Sequence, residues 1–568
     1  MTIAVGIDLG TTNSVAAVAT PTGVEFALGP RGERIHPSVV AYPAAGGVLV
    51  AHDARAMRVS EPESTIYSAK RLIGQNLRSP LVQLTMTGLT YQVEEGANQQ
   101  PIVVVRDRHL TVPEVSSQVL LHLKRCVERQ MADRVGPCVI TVPANFSDAQ
   151  RRATQEAGRL AGLDVIRLIN EPTAAALAYG FGQRKDEVVC VFDFGGGTFD
   201  VSLLRIRGEI FEVLATDGDF FLGGDDIDRT ITEFLAAELN RVQHLDPRGS
   251  ASLMARLTVA AEEVKKHLSE YDVAEGTIDG LETDDGAVLS LPFRLTRAQL
   301  ESLIGGYVDR AIASVRNALT AAHLEPDAVS EVLCVGGSTR IPLVRQRLAE
   351  VFGKPPLIRI NPDEVIAQGA AIQAGSLTGN LVEGTGMASR DAVPSAALSP
   401  LMLADAAVGA DPLSFSVMTQ LPRPLLLDVV PATLGVATAG GYSDRLVEKN
   451  APIPIERTKV FTTARDDQTK VVLDCCRGEQ RRYGENEPLG QLVLDGLPSG
   501  RRGEVKIEVT FRVDTDGILH VRARDAATGA DQEVAMTILG APTPPPTTSP
   551  LDADAGLADL LEIDGEPT

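Results

Sequence analysis

Two stretches of the sequence combine an acidic residue with glycine and threonine in a pattern that suits phosphate binding. In Val5–Ser14 and in Val191–Asp200, a β-rich apolar run leads to an acidic residue, an apolar residue and a Gly/Thr turn. Such turns present backbone N–H groups to an anion. A carboxylate beside phosphate is tolerated when a cation such as Mg²⁺ lies between them, so Asp8 and Asp193 are candidates for holding that cation. Two similar half-sites predict two similar lobes that close on one nucleotide.

The composition narrows the class of protein. The chain of 568 residues exceeds a single core and predicts several domains. Its formal net charge of −22 argues against nucleic acid and anionic membranes as partners. We find no long apolar run and no basic signal peptide, and we expect a cytoplasmic protein. The cysteines show no metal-binding spacing and are interpreted as buried reduced thiols: Cys126, Cys138, Cys190, Cys334, Cys475 and Cys476.

The pattern of elements divides the chain into five parts. Residues 1–380 alternate β runs with amphipathic helices, which indicates α/β layers. Residues 381–423 are rich in Gly, Pro and small side chains and predict a flexible insertion, in which Leu401–Ala407 is either a short helix or a loop. A linker at 424–428 precedes short alternating strands over 429–540, typical of an antiparallel sandwich. The acidic tail 541–568 should be disordered, with at most a helical turn or two near Leu557–Ile563.

Several individual elements are predicted before the sandwich and within it. Strands are expected at Cys138–Val142 and Glu187–Phe192, and helices at Arg151–Ala161 and Thr258–Leu268. The sandwich strands are expected around 429–438, 458–463, 470–475, 490–494, 504–513 and 518–523, with turns at Gly440-Gly441, Asp495-Gly496 and Asp516-Gly517.

Three further motifs, together with the two hairpins, occur along the chain in an order that can be compared with known families. They are Ile140–Phe146, Ile169–Ala176 and Val335–Pro342. With them the chain resembles the heat-shock protein 70 chaperones, in particular the bacterial DnaK type, over residues 1–380 and 424–540. The resemblance implies a multidomain protein in which an actin-like α/β ATPase domain of two lobes is followed by an antiparallel β-sandwich peptide-binding domain. It also implies ATP-dependent binding and release of extended hydrophobic segments of unfolded proteins.

The resemblance assigns a nucleotide site for ATP or ADP with Mg²⁺ and K⁺. Positions that match the catalytic and cation-binding residues are Asp8, Lys70, Glu171, Asp193, Thr198 and Asp200, with Lys70 matching the lysine that orients the attacking water and Asp8 and Asp193 holding Mg²⁺ through water. Phosphate-binding positions are Gly10, Thr11, Thr12, Asn13, Gly195, Gly196 and Gly197. Adenosine-binding positions are Glu262, Lys265, Lys266 and Ser269 at helical spacing, with Gly337, Ser338, Arg340 and Asp363 opposite them.

The resemblance also assigns a peptide channel and a coupling route. The channel positions are Val436, Thr438, Ala439, Phe461, Ala464, Gln468, Val471 and Leu473, and the small Ala439 predicts a looser arch over the peptide. The same apolar side chains also suit the core of a small sandwich. Coupling positions are Pro143, Arg151, Leu425, Leu426, Leu427 and Asp428. The implied partners are a J-domain co-chaperone and a GrpE-like nucleotide-exchange factor; we expect no helical lid after the sandwich.

Two alternatives belong to other functional classes. One is a metabolite kinase of the same actin-like superfamily, against which the sandwich and the Leu-Leu-Leu-Asp linker argue. The other is a scaffold or co-chaperone that binds ATP without cycling. The presence of Asp8, Lys70, Glu171, Asp193 and Thr198 argues against it.

Overall fold

The structure is a computed structural model that describes most of the chain. The described residues are 2–20, 23–183, 186–283, 286–357, 360–379, 423–526, 531–532, 537–538 and 560–562. Residues 381–422 of the predicted insertion, the possible helix Leu401–Ala407 and most of the predicted tail lie outside them. Within the described part of the chain, no helix is long and apolar enough to cross a membrane.

The first part of the chain, the described residues up to 183, contains one mixed sheet, two smaller sheets and five α-helices. Its strands are β1 (Ile3–Leu9), β2 (Asn13–Thr20), β3 (Gly23–Phe26), β4 (His36–Pro37), β5 (Val40–Ala41), β6 (Leu49–Val50), β7 (Thr65–Ile66), β8 (Gln92–Glu95), β9 (Pro101–Val105), β10 (Arg108–Thr111), β11 (Val135–Val142) and β12 (Asp164–Asn170). Its helices are α1 (His52–Ser60), α2 (Pro80–Met86), α3 (Val112–Met131), α4 (Asp148–Leu160) and α5 (Glu171–Gly180). The main sheet has the order β12-β11-β1-β2-β3, with β1 to β3 antiparallel and β11 parallel to β1.

The second part, residues 186–379, repeats this strand arrangement. Its strands are β13 (Asp186–Phe194), β14 (Phe199–Arg207), β15 (Ile210–Asp219), β16 (Val273–Glu282), β17 (Val288–Thr296) and β18 (Glu331–Val335). Its helices are α6 (Gly224–Gln243), α7 (Ala251–Glu270), α8 (Arg297–Ala321), α9 (Pro342–Phe352) and α10 (Val365–Thr378). Here β13 to β15 are antiparallel and β18 is parallel to β13. The predicted mixed α/β character with several sheets is confirmed.

Helix α10 connects the two parts through a close helix crossing. It packs on β1, β2 and α5. A Cβ on Gly369 would overlap the carbonyl of Ala174, and a Cβ on Gly6 would overlap the backbone at Ala371. Both glycines therefore permit a backbone approach that any larger residue would prevent. The alanine run in α5 serves the same close packing.

The third part consists of the remaining strands. They are β19 (Leu425–Leu427), β20 (Leu434–Thr438), β21 (Tyr442–Val447), β22 (Ile455–Thr463), β23 (Lys470–Arg477), β24 (Glu487–Asp495), β25 (Lys506–Val513), β26 (Leu519–Asp525), β27 (Asp531–Gln532), β28 (Thr537–Ile538) and β29 (Leu560–Glu562). Two antiparallel sheets, β21-β20-β23-β24-β28 and β27-β26-β25-β22-β29, share one apolar core. The predicted turn at Gly440 and Gly441 joins β20 to β21, and both glycines have positive φ, at 87° and 77°.

Two features of this part differ from the sequence-based expectations. Strand β21 was not expected, because its residues Tyr442–Val447 are mostly polar or partly exposed and lie at the edge of a sheet. The helical turn expected near Leu557–Ile563 is wrong, because Leu560–Glu562 forms β29 and pairs with the edge of β22. The backbone hydrogen bonds that β22 offers at that edge favour a strand over an isolated helical turn.

Candidate functional site

The two Gly/Thr hairpins face each other across a cleft. The first turn connects β1 to β2, and the second connects β13 to β14. A Cβ on Gly196 would overlap the side chain of Thr12, and a Cβ on Gly197 would overlap that of Thr11. Only glycine allows the turns to approach this closely, so their backbone amides border one small space.

Carboxylates converge at the base of this cleft. Asp8 is the penultimate residue of β1, Glu171 begins α5, and Asp193 and Asp200 are directly paired residues of β13 and β14. Glu171, Asp193 and Asp200 are buried. The ammonium of Lys70 lies 2.6 Å from Glu171 Oε1 and is also buried. Among the described residues that line the cleft, Lys70 is the one cation.

Three of these carboxyls, those of Asp8, Asp193 and Asp200, have a raised pKa. Burial, followed by the charge of Glu171, raises the pKa of Asp8 to about 7 and that of Asp200 to about 7. The same two causes raise the pKa of Asp193 well above its ordinary value. A hydrogen bond from Thr141 Oγ1 to Asp8 Oδ1, 3.0 Å long, and one from Asn145 Nδ2 to Asp200 Oδ1, 2.7 Å long, partly oppose these shifts. The donor set is anionic, oxygen-rich and short of positive charge, which fits a hydrated divalent cation.

Most of the predicted phosphate and catalytic positions line this one cleft, together with two of the predicted adenosine positions, Gly337 and Asp363. They are Asp8, Gly10, Thr11, Thr12, Asn13, Lys70, Glu171, Asp193, Gly195, Gly196, Thr198, Gly337 and Asp363. Gly197 packs behind the lining on Thr11. Asp200 also lies behind it, held by Asn145.

The predicted adenosine positions Lys265, Ser338 and Arg340 lie beside the cleft and are held by ion pairs and hydrogen bonds. Lys265 on α7 contacts Asp228 Oδ2 at 2.7 Å and donates to the carbonyl of Gly224. Ser338 Oγ donates to the carbonyl of Gly195 over 2.9 Å. Arg340 Nη2 lies 2.6 Å from Asp363 Oδ2.

Glu262, Lys266 and Ser269, the remaining members of the adenosine set, lie on the same helix α7 and make other contacts. Glu262 pairs with Arg55 Nη2 at 2.8 Å and with Lys266 Nζ at 2.9 Å, and it lines a neighbouring cavity. The hydroxyl of Ser269 donates to its own helix at Lys265 O. The Arg55–Glu262 pair thus links the first part of the chain to the second.

A second connection across the cleft was not found from the sequence. The buried guanidinium of Arg71 makes two hydrogen bonds to the carboxylate of Asp226 and donates to Gly197 O. Ser68 Oγ donates to Asp225 Oδ2 over 2.6 Å. Arg71 could have been noticed from the sequence because it follows Lys70. No residue near Asp226 identifies Asp226 as the partner of Arg71.

The predicted peptide-channel positions lie around β20, β22 and β23. Val436, Phe461, Val471 and Leu473 are fully buried in the core of the two sheets. Thr438, Ala439, Ala464 and Gln468 are partly exposed at one end. The side chain of Gln468 accepts from the backbone N–H of Ala464 and donates to Lys470 O, so it closes the loop between β22 and β23.

The predicted linker docks as an additional strand. Leu425, Leu426 and Leu427 of β19 pair in parallel with Ile210–Glu212 of β15. Leu426 packs on an apolar cluster that both parts share, whereas Leu425 remains 51% exposed. The next residue, Asp428, is buried.

Asp428 and Arg151 meet polar groups on both sides of the linker. Asp428 Oδ1 accepts from Asn170 Nδ2 at 2.9 Å and from Thr173 Oγ1 at 3.0 Å. Arg151 Nη2 donates to Asn170 Oδ1 at 2.8 Å, and its Nη1 donates to the carbonyl of Asp516 at 3.0 Å. One buried network therefore joins the first part of the chain, Asp428 and the loop between β25 and β26.

Further contacts hold the third part of the chain against α4. The backbone N–H of Leu519 donates to Asp148 Oδ1 over 2.8 Å, and Arg152 Nη2 donates to Leu519 O over 3.0 Å. The predicted coupling residue Pro143 is buried and precedes this helix. Its carbonyl accepts from Phe146 N.

The family comparison agrees with this arrangement. The sequence profile of the family described as Hsp70 protein matches residues 4–401 and 405–543. The chain belongs to the Hsp70 family. It is therefore a chaperone of the Hsp70 type, and members of this family are ATPases that generally bind ATP or ADP with Mg²⁺.

Proposed function

We propose that this chain binds and releases extended hydrophobic segments of unfolded proteins in a cycle driven by ATP hydrolysis. The observation that carries the proposal is the ring of carboxylates around Lys70 between two glycine hairpins. On this proposal residues 1–380 are an actin-like ATPase domain of two lobes, 424–428 are the linker, and 429–540 are the peptide-binding sandwich. The topological repeat of the first two sheets supports the two-lobe interpretation.

The hydrolytic step requires positioning and charge neutralisation more than covalent chemistry by the protein. Mg²⁺ would be held through water by Asp8 and Asp193, where it supplies the positive charge that the polyphosphate and these carboxylates both need. Asp200 and Asp8 are the positions proposed to border K⁺. Glu171 holds the ammonium of Lys70 at 2.6 Å. In that position Lys70 orients the attacking water, and the hydroxyl of Thr198 borders the same space.

The phosphates are proposed to bind the backbone amides of the turns at Gly10–Asn13 and Gly195–Gly197. The nucleoside would lie between α7 and the segment Gly337–Arg340. Lys265, beside Gly224 and Ser338, is placed to contact the ribose, and Arg340 to stack on the purine. Asp363 restrains that arginine through their ion pair.

The peptide is proposed to add to the sandwich by β-type backbone hydrogen bonds. The loops that begin at Ala439 and Ala464 would form the two sides of its entrance, with the buried Val436 and Phe461 beneath it. Nucleotide state would reach this channel through the docked linker and the Asp428–Arg151 network, because both contact the two domains directly.

The proposed setting is the cytoplasm, with a J-domain co-chaperone and a GrpE-like exchange factor as partners. All six cysteines are buried free thiols, and burial raises the pKa of each, as for Cys138 and Cys190. Such thiols fit a reducing compartment.

Steady-state phosphate release, measured with and without a hydrophobic heptapeptide, tests the proposal. We expect slow Mg²⁺-dependent hydrolysis that the peptide stimulates. Phosphate transfer to a sugar without peptide binding would instead identify a metabolite kinase. ATP binding without any turnover would identify a scaffold or co-chaperone that does not cycle.

A further inference from the structure

Three potential metal ligands meet beneath the first phosphate-binding hairpin. His36 belongs to β4, and His122 and Cys126 lie one turn apart on α3. The distance from His36 Nδ1 to His122 Nε2 is 3.1 Å, and that from Cys126 Sγ to His122 Nε2 is 3.7 Å. All three ligand atoms lie within 4.8 Å of one another. His36 and Cys126 are buried, so these contacts are shielded from solvent.

These separations suit a tetrahedral zinc site. With Zn–N near 2.0–2.1 Å and Zn–S near 2.3 Å, neighbouring ligand atoms should be roughly 3.3–3.6 Å apart. The spacing of His122 and Cys126 by four residues places both on one face of α3, opposite β4. Small adjustments of the three side chains would therefore bring them to one metal ion.

The groups around the three side chains leave a lone pair on His36 Nδ1, favour neutral imidazoles and place a donor beside Cys126 Sγ. His36 Nε2 is 3.4 Å from the carbonyl of Ala27, which can only accept, so this ring nitrogen carries the proton and Nδ1 keeps a lone pair. Burial lowers the pKa of His36 and that of His122, the latter to about 4, so both imidazoles are neutral at neutral pH. Arg129 Nη2 lies 3.5 Å from Cys126 Sγ and can donate to a thiolate there.

We propose that His36, His122 and Cys126 bind one Zn²⁺, with a water in the fourth position. On binding, the thiol of Cys126 loses its proton to solvent and the thiolate bonds to the metal. The site lies next to the nucleotide cleft, because His36 pairs with Ser14 of β2 and Ser38 Oγ donates to Gly10 O over 2.8 Å. Bound zinc would therefore restrain the hairpin that contains Gly10.

Cobalt substitution of the full chain tests the site. One equivalent of Co²⁺ should give a sulfur-to-cobalt charge-transfer band, which a carboxylate site in the nucleotide cleft cannot produce. Cys126→Ser should remove the band, and His122→Gln should weaken Zn²⁺ binding at least tenfold in competition with a chelator. His109→Gln is the matched control, since His109 is an exposed histidine near Glu94 and should leave both readouts unchanged.

The outcomes separate a metal site from a simple hydrogen-bonded cluster. Absence of the band at stoichiometric Co²⁺, or its survival in Cys126→Ser, would overturn the proposal. If Cys126→Ser fails to fold, the same Co²⁺ titration of His36→Gln can still refute the proposal, because this variant removes one ligand and leaves the thiol in place.

A separate observation concerns the peptide channel. Strand β29 pairs antiparallel with β22, with Leu560 opposite Thr463, Leu561 opposite Thr462 and Glu562 opposite Phe461. It also approaches β20. The strands β20 and β22 are the two that carry the channel positions Val436 and Phe461. The backbone of β29 therefore takes the place that an added peptide strand would need.

We infer that residues 560–562 act as an intramolecular competitor for peptide, an inference that rests on the proposed chaperone function. Twenty-one residues, 539–559, separate β28 from β29. A tethered segment with an intrinsic dissociation constant near 0.1 mM, at an effective concentration of about 1 mM, would weaken peptide binding roughly tenfold. The tail would then lower the occupancy of the channel by weakly binding peptides, whereas tightly binding peptides would still bind.

Fluorescence anisotropy with a labelled hydrophobic heptapeptide tests this inference in the full chain. Leu561→Pro removes a backbone donor from β29 and should tighten peptide binding roughly tenfold. Ala555→Pro, outside the paired residues, is the control and should behave as wild type. Equal affinities in Leu561→Pro and wild type would overturn the tail inference alone. Absence of peptide binding in every variant would instead overturn the proposed chaperone function on which it rests.

Discussion

Binding of Mg²⁺ in the cleft should depend steeply on pH. Asp8 and Asp200 each have a pKa raised to about 7 by burial and by the charge of Glu171. Because the cation needs the ionised carboxylates, protons compete with it. Affinity for Mg²⁺ should therefore fall as the pH drops below about 7 and level off above it.

The expected size of this pH effect follows from the pKa values of Asp8 and Asp200. A single competing carboxyl with a pKa of about 7 is roughly one-tenth ionised at pH 6, so it weakens Mg²⁺ binding roughly tenfold between pH 8 and pH 6. Two such groups weaken it up to roughly a hundredfold, or about 2.7 kcal/mol. The carboxylates titrate as a cluster, so the effect belongs to the site as a whole.

Titration of Mg²⁺ into the ADP-bound protein at pH 6, 7 and 8 measures this dependence. In Asp8→Asn and in Asp200→Asn, the change in Mg²⁺ affinity between pH 8 and pH 6 should be about tenfold smaller than in wild type. Protonation of the nucleotide contributes equally to every variant, so the difference isolates the protein groups. Asp107→Asn, at an exposed turn, should match wild type. An affinity that is independent of pH, or identical slopes in all four proteins, would refute the electrostatic account of the cleft.

Three further substitutions probe other parts of the proposal. Lys70→Ala should slow single-turnover hydrolysis at least about a hundredfold and leave ATP affinity nearly intact, because the lysine orients water; Lys124→Ala, remote from the cleft, should change neither. Gly196→Ala places a methyl group against Thr12 and should weaken ATP binding about tenfold or more in a nucleotide titration, whereas unchanged affinity would show that the hairpins need not approach closely. Asp428→Ala removes the acceptor of two buried hydrogen bonds, so peptide stimulation of the ATPase should be lost at an unchanged basal rate; persistent stimulation would exclude this route.

Local patterns predicted most of the elements that build the site. The helix expected at Arg151–Ala161 is α4, Asp148–Leu160, because a Ser147 capping box fixes its start. The hairpins at Asp8 and Asp193 followed from Gly/Thr turns that end apolar strands. Such signals lie within a few residues of one another, so a single sequence contains them.

The features that were missed depend on contacts between distant residues. Arg71 and Asp226 are 155 positions apart, and they meet because two separate sheets face each other. His36 and His122 are 86 positions apart, which is why the cysteine spacing suggested no metal site. Strand β29 depends on an open edge of β22, and its own sequence is equally compatible with a helical turn.

The proposed coupling of ATP to peptide release is tested most directly by stopped-flow measurement of a labelled hydrophobic heptapeptide leaving the full chain. ATP should accelerate release relative to ADP, and Asp428→Ala should abolish the difference between the two nucleotides while leaving nucleotide binding intact. Equal release rates with ATP, with ADP and without nucleotide would contradict the account.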